Sequence, residues 1–136
     1  MFEWRTELEL GIDSIDSQHK KLITFADQIY RMAQQEASQT DDEILLVLNE
    51  LKDYTIYHFK TEEELFLKYR FPEYETHKLE HDNFRQYIAA FQLEEAGHSR
   101  QEKINELLVS IVKWIIKHII DSDYWYKDYL INLGVK

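Results

Sequence analysis

Residues 58–81 read HFKTEEELFLKYRFPEYETHKLEH, a stretch that covers the end of one helix, a break and the start of the next. It contains two pairs of metal-ligand residue types, each pair four residues apart: His58 with Glu62, and His77 with His81. Side chains four residues apart differ by about 40° in direction, so each pair lies on one helix face. Pro72 ends the first helix and allows the second to begin. The short connection predicts two antiparallel helices that present both pairs to one site.

Apolar residues recur at steps of three and four along four segments of the chain, which predicts four amphipathic helices. The expected buried positions are Ile15, Leu22, Ala26, Ile29 and Ala33; Ile44, Leu48, Leu51, Thr55, Leu65 and Tyr69; Tyr74, Phe84, Ile88 and Phe91; and Ile104, Leu107, Ile111, Ile115, Trp125 and Tyr129. The loops ASQTDD and EEAGHSR supply the other connections, with Thr40 or Asp41, and Ser99, as expected N-caps. We therefore predict an all-α fold: an antiparallel up-down-up-down four-helix bundle with an irregular N-terminal arm over about 1–14. No repeat or linker is visible, so we expect a single domain over 1–136.

The composition excludes several classes of protein. The chain has 136 residues, 44% hydrophobic and 31% charged, with three Gly and one Pro, which favours a few long helices over many short strands. A formal net charge of −10 argues against nucleic acid and anionic lipid as partners. We expect no direct membrane insertion, because no stretch approaches the roughly 20 apolar residues that a membrane span needs. The opening MFEWRTELEL does not resemble a signal peptide, and we expect a cytoplasmic location.

Five of the six histidines fall at metal-ligand spacings together with two carboxylates. The seven residues are His19, His58, Glu62, His77, His81, His118 and Asp123. They occur early in the first and third helices and late in the second and fourth, which is the same end of an antiparallel bundle. His118 and Asp123 stand five apart, about 140° different on a regular helix, so we expect a widened turn of the π kind or a long reach by Asp123.

This set of side chains suits two metal ions. Five imidazoles and two carboxylates exceed the needs of one ion, and a carboxylate can bridge two cations. With no cysteine in the chain, the ligands are N and O atoms, which fit iron, manganese, copper or zinc without selecting among them. A single histidine on a buried face is more often a hydrogen-bonded core residue, but five at one level favour a metal site. We expect His98 to be solvated, and Glu63 and Glu64 to be solvated surface beside Glu62.

The order His, His-x3-Glu, His-x3-His, His-x4-Asp resembles the hemerythrin family over nearly the whole chain, and the length and the start MFEW resemble its stand-alone bacterial branch, the bacteriohemerythrins. The resemblance implies two non-haem iron ions joined by an oxo or hydroxo bridge. By this resemblance, one iron is held by His77, His81 and His118, the other by His19 and His58, and the bridging carboxylates are Glu62 and Asp123. The five-residue spacing from His118 to Asp123 is the family's own.

The same resemblance implies reversible binding of dioxygen, held as hydroperoxide at the open position of the two-histidine iron. Residues that match the aromatic surroundings of the family's site are Trp4, Phe59, Trp114 and Tyr126. Ile115 stands where the family usually has a pocket-lining leucine, a departure that bears on ligand access and autoxidation.

Three functions remain open at this point. A dioxygen carrier, store or delivery protein, rather than an enzyme, is the first, with delivery to an oxygen-consuming enzyme as its use. The second is a di-iron oxidoreductase that acts on dioxygen, peroxide or nitric oxide. Ferritin-like enzymes use paired Glu-x-x-His motifs, whereas this chain has one, Glu95 to His98, in a loop. The third is an oxygen-sensing module, which usually adjoins a signalling domain.

Overall fold

The computed structural model describes residues 4–34, 41–92 and 94–136. Within the helices, the side chains of residues 32–34, 41, 44, 122, 124 and 125 lie outside this description. The described part of the chain is all-helical. A short 3-10 turn at Thr6–Leu8 is followed by α1 (Asp13–Gln34), α2 (Asp41–Lys68), α3 (Tyr74–Ala90), α4 (Arg100–Lys117), a π-helical segment (His118–Asp123) and α5 (Tyr124–Asn132). None of the helices in the described ranges is long and apolar enough to cross a membrane.

The fold is the antiparallel four-helix bundle that the sequence predicted. The first three arms are α1, α2 and α3, and the fourth arm is α4 continued through the π segment into α5. Helix α1 packs against α2 and α4, and α2 also packs against α3. The beginnings of α1 and α3 therefore meet the ends of α2 and α4, which sets the level of the functional site.

The described part of the N-terminal arm, residues 4–12, is irregular apart from the 3-10 turn, as predicted, and it packs against the bundle. Asp16 accepts hydrogen bonds from the backbone N–H groups of Leu10, at 2.8 Å, and Gly11, at 3.0 Å. Leu10 and Ile12 are fully buried. Gly11 has a φ of +87°, and a Cβ there would lie 3.2 Å from a side-chain carbon of Ile131. The arm thus turns tightly at a glycine and packs near α5.

Helix α2 ends before Pro72, so the prediction that proline terminates it was wrong. The backbone N–H of Phe71 donates to Phe66 O at 2.9 Å, and that of Arg70 donates to Leu67 O at 3.4 Å, while Arg70 has a φ of +53°. This is the double hydrogen bond of a Schellman ending, in which a left-handed residue closes the last helical turn. The reversal at Arg70 has already ended the helix, and Pro72 lies in the connection.

Most of the predicted core is buried, but Tyr69, Tyr74, Ile88 and Phe91 are only partly buried, and the buried position shifts by one residue in three further places. Leu65, Leu107 and Tyr129 are only partly buried, and the positions nearer the core are Phe66, Leu108 and Leu130. At Leu130 the cause is the π segment, which adds a residue to the turn and moves the buried position from the expected 129 to 130, while Tyr126 is buried one turn earlier. The predicted core side chains Ala33, Ile44 and Trp125 lie outside the described ones.

Of the predicted N-caps, Ser99 is confirmed. Its Oγ accepts a hydrogen bond from the backbone N–H of Glu102 at 3.1 Å, which satisfies one of the free donors at the start of α4. Asp41 is already the first residue of α2, and Thr40 lies outside the described residues.

Candidate metal centre

The four helical arms bring all seven predicted ligand side chains to one place inside the bundle. Each is buried, with at most 5% of its surface exposed. By element they are His19 on α1; His58 and Glu62 on α2; His77 and His81 on α3; and His118 and Asp123 in the π segment. Seven buried polar or ionisable groups at one level require partners, because an isolated buried charge is strongly unfavourable.

The ligand atoms form two overlapping groups. The three-histidine group consists of His77, His81 and His118 with both carboxylates, and the two-histidine group of His19 and His58 with the same carboxylates. Within each group, one ligand atom per residue lies within 4.8 Å of all the others. Glu62 and Asp123 belong to both groups, so the arrangement could hold two neighbouring cations with two shared carboxylates.

Asp123 points one oxygen at each group. Its Oδ1 lies 2.8 Å from His77 Nε2 and 2.9 Å from His118 Nε2, while its Oδ2 lies 2.9 Å from His19 Nε2. The π segment makes this placement possible, because a turn closed by i to i+5 hydrogen bonds brings residues five apart onto one face. The prediction of a widened turn between His118 and Asp123 is confirmed.

The two oxygens of Glu62 differ in their partners. Oε2 accepts a hydrogen bond from the Tyr126 hydroxyl at 2.6 Å. Oε1 lies 3.0 Å from His58 Nε2 and 3.4 Å from His81 Nε2, yet accepts no well-aligned hydrogen bond from any described residue. A buried carboxylate oxygen surrounded by imidazole nitrogens, without an aligned donor, is suited to a metal ion.

Hydrogen bonds at the outer ring nitrogens, the Nδ1 atoms, determine that the lone pair lies on the inner nitrogen, Nε2. His58 Nδ1 lies 2.7 Å from Gln18 Oε1, and Gln18 Nε2 donates to Thr61 Oγ1, which itself donates to Tyr57 O. That chain orients the Gln18 amide, so His58 Nδ1 must be the donor. His81 Nδ1 likewise donates away from the cluster, to Glu63 Oε2 at 2.8 Å.

The inner nitrogens, the Nε2 atoms, of neighbouring histidines face one another. His19 Nε2 and His58 Nε2 are 3.0 Å apart, and so are His81 Nε2 and His118 Nε2. The outer Nδ1 atoms of His81 and His118 both meet carboxylates, so in the neutral rings the two Nε2 atoms present lone pairs, which repel each other at this distance. Cations between the nitrogens and the two carboxylates relieve this repulsion, so the residues fit a pair of metal ions.

Without metal, the cluster binds protons instead. Burial lowers the pKa of His58, but Glu62 and Asp123 outweigh it and raise that pKa to about 9. For His118 the effect of burial is likewise exceeded by that of Asp123, and its pKa lies well above the usual value. Burial and the neighbouring Asp123 oppose ionisation of Glu62, yet His58 and His118 hold its pKa well below the usual range. Metal ions and protons therefore compete for the same nitrogens.

Aromatic rings cover the ligands on the core side. Phe59 stacks on His81, with ring centres 4.0 Å apart and planes within 8°, and Trp114 stacks on His118 at 4.5 Å and 17°. Tyr126 is fully buried against Glu62. Of the other predicted pocket residues, Ile115 is buried in the main core, against which Trp4 packs.

Three outer partners were missed by the sequence analysis: Gln18, Glu63 and Glu80, which contact His58, His81 and His118. The expectation that Glu63 is solvated surface was wrong, since only 15% of its side chain is exposed. Each outer partner stands directly beside a ligand in sequence, but supports a ligand on a different helix. The signal that could have identified them is a polar side chain directly next to a ligand in the sequence, as at 18, 63 and 80.

His98 takes no part in the cluster, as expected. Half of its side chain is exposed, and its Nδ1 lies 3.2 Å from Glu102 on the surface of α4.

Replacing Tyr126 by Phe should weaken the site without unfolding the bundle. The ring remains, but Glu62 Oε2 loses its hydroxyl donor in a buried place, which costs about 1–3 kcal/mol. We expect a lower midpoint of urea denaturation and a less tightly held metal. Tyr129→Phe is the matched control, because its hydroxyl donates to the backbone oxygen of Tyr69 away from the cluster. Equal effects on metal affinity in the two variants would contradict this role of Tyr126.

Comparison with known proteins identifies relatives over nearly the full length. The family model described as the hemerythrin HHE cation binding domain matches residues 10–130. A bacteriohemerythrin of Clostridium acetobutylicum is 37% identical over 129 residues, covering 94% of this chain and 100% of that protein. A bacteriohemerythrin of Stenotrophomonas maltophilia is 31% identical, covering 92% and 78%, and a hemerythrin-like protein of Naegleria gruberi is 31% identical, covering 95% and 93%.

Proposed function

The chain belongs to the hemerythrin family, as its sequence suggested, and on that premise we propose that it binds dioxygen reversibly at two non-haem iron ions. The observation that carries the proposal is the pair of overlapping ligand groups that share Glu62 and Asp123. Three nitrogens on one side and two on the other leave the two-histidine position short of a ligand, and that is where a small molecule would bind.

Each group would hold one iron. His77, His81 and His118 would bind the first and His19 and His58 the second, with Glu62 and Asp123 bridging alongside an oxo or hydroxo ion that belongs to the cofactor. When bound, the iron pair supplies the electrons that dioxygen takes up and returns. The two carboxylates offset part of the metal charge, and the imidazoles add none.

The protein's own contribution is a dry, fixed environment. Phe59, Trp114, Ile115 and Tyr126 would wall the dioxygen pocket, and an apolar shell limits the access of water and protons to a metal site. Tyr126 fixes one oxygen of Glu62, so the carboxylate does not rotate away from the cations. These features support binding and release of dioxygen rather than its reduction, so we propose a carrier, store or delivery protein, not an enzyme.

The proposal also covers the domain organisation, the location and the partner of the protein. We propose that residues 1–136 form a single hemerythrin-like domain. We also propose that the protein acts in the cytoplasm, where it delivers dioxygen to an oxygen-consuming enzyme.

An absorption experiment tests the function. The metal-free protein is loaded anaerobically with Fe(II), and its visible spectrum is recorded before air, after air and after air is removed. We expect two iron ions per chain and a charge-transfer band that appears with air and disappears with its removal. A one-way change to a stable oxidised form contradicts a carrier. Steady consumption of peroxide or nitric oxide with a reductant would favour the oxidoreductase instead.

Metal loading should release protons. His58, with a pKa of about 9, and His118, with a raised pKa, are protonated at pH 7 without metal, and metal-bound imidazole nitrogens carry no proton. We expect about two protons per chain when Zn(II) binds in weak buffer at pH 7, measured with an indicator dye. The sign follows from the raised pKa: the metal-free protein holds these protons below the raised pKa of His58, so release is expected there and declines as the pH rises through about 9. Zinc binding without proton release at pH 7 would show that the imidazoles are neutral beforehand.

A further inference from the structure

The outer hydrogen bonds of the two ligand groups differ in charge. In the three-histidine group, His81 Nδ1 lies 2.8 Å from Glu63 Oε2, and His118 Nδ1 lies 3.0 Å from Glu80 Oε2. In the two-histidine group, His58 Nδ1 donates to the neutral amide of Gln18. His19 Nδ1 is buried and has no hydrogen-bond partner among the described residues. Within the described part of the chain, carboxylates thus support only the three-histidine group.

An anionic acceptor changes the imidazole that donates to it. The carboxylate attracts the Nδ1 hydrogen, and electron density on the opposite nitrogen rises, which makes Nε2 a better metal ligand. Hydrogen bonds to a charged acceptor are roughly twice as strong as those between neutral groups. The same ring bonded to an amide, or to nothing, gains less.

We propose that Glu63 and Glu80 are positioning residues that make the three-histidine group the tighter of two metal positions. Gln18 is a neutral acceptor, and His19 Nδ1 has no hydrogen-bond partner among the described residues, so the two-histidine position is the weaker one. The inference rests on the proposed function only in assuming two metal positions. It adds that the difference in affinity between the two metal positions arises from residues outside the ligand set as well as from the number of ligands.

The negative charge of each carboxylate is partly offset by its surroundings. Glu63 Oε2 also accepts from Arg85 Nη2 at 2.8 Å, which withdraws charge from the oxygen that His81 uses. Arg85 donates as well to Asp82 Oδ1 at 2.8 Å, so it also holds Glu63 in place. The Glu80 side chain is 42% exposed, and solvent screens it. We therefore expect effects near the lower end of the range known for such outer partners, about tenfold in metal affinity for each charge removed.

The test uses Co(II), which needs no dioxygen chemistry for detection. Metal-free protein is titrated with Co(II) against a competing chelator, and the visible Co(II) bands follow each step. We expect two steps in the unmodified chain. His19→Ala, which removes a ligand of the two-histidine group only, should eliminate the second step and so identify it.

Glu80→Gln keeps a hydrogen-bond acceptor for His118 and removes only the charge. We expect it to weaken the first step about tenfold and leave the second unchanged. Gln18→Glu places a charge behind His58 and should strengthen the second step alone. Glu64→Gln is the matched control, since it removes the same charge from an exposed neighbour of Glu63.

The outcomes distinguish failure of this inference from failure of the proposed two-metal function. If Glu80→Gln weakens both steps equally, or no more than Glu64→Gln does, a general loss of charge explains the effect and the inference is overturned. A first step that is unaffected in Glu80→Gln also overturns it. Binding of fewer than two Co(II) ions by the unmodified chain would instead contradict the proposed two-metal function.

Discussion

Asp123→Ala is expected to reduce iron binding from two ions per chain to fewer than one. Asp123 is fully buried and contacts three imidazoles at 2.8 to 2.9 Å, from both ligand groups. Its removal deletes a shared ligand and leaves buried imidazoles without their counter-charge. Breaking a buried charged pair in this way costs about 3–5 kcal/mol. We therefore expect both a lower free energy of unfolding of the metal-free protein and loss of the air-dependent absorption band.

The control for this variant lies in the same π segment. Asp121→Ala removes the same charge two residues earlier, from an exposed side chain. It should bind two iron ions and unfold at nearly the same denaturant concentration as the unmodified chain. Iron content is measured by metal analysis after gel filtration, and stability by urea denaturation. Two tightly bound iron ions in Asp123→Ala would show that Asp123 is not a shared ligand.

Phe59→Ala is expected to have the largest effect on stability away from the ligands. The Phe59 ring is 1% exposed, stacks on His81 and meets the rings of Phe84 and Trp114 at centroid distances of 5.5 and 5.2 Å. Truncation leaves a cavity beside the metal centre and costs about 3–5 kcal/mol. A cavity next to polar ligands admits water, so we also expect the oxygenated protein to decay faster to the oxidised form.

Two further variants make this result interpretable. Tyr57→Ala removes an aromatic ring two residues away, on the exposed side of the same helix, where 57% of the side chain is accessible. It should change the free energy of unfolding by less than about 0.5 kcal/mol. Phe59→Leu retains most of the volume and should fall between the two in both stability and decay rate. If the oxygenated lifetime is the same in Phe59→Ala and Tyr57→Ala, Phe59 does not protect the site.

The sequence predicted most of the fold because the ligand spacing and the apolar periodicity agree. His58 and Glu62 stand in the same stripe as Leu51 and Thr55, so one period describes both the core and the site. The sequence correctly places a break near Pro72, but the left-handed Arg70, and not the proline, closes the helix. Arg70 and Pro72 lie in the same short connection, so the chain reverses direction between α2 and α3 in either case.

The errors have physical causes that single-helix reasoning does not capture. The π segment moves the buried position by one residue, so Leu130 is buried in place of the expected Tyr129. Glu63 lies outside the apolar stripe of its own helix, which predicts solvated surface. It reaches His81 on the neighbouring helix, and only the packed structure shows that contact.

The most direct test of the central claim is the uptake of dioxygen by the iron-loaded protein in a closed cell with an oxygen electrode. A single site shared by two iron ions predicts one dioxygen taken up per two irons, and its return when the free dioxygen is removed. Repeated cycles should give the same amount. Uptake that continues with a reductant present, or dioxygen that is consumed and never returned, would contradict reversible binding at this site.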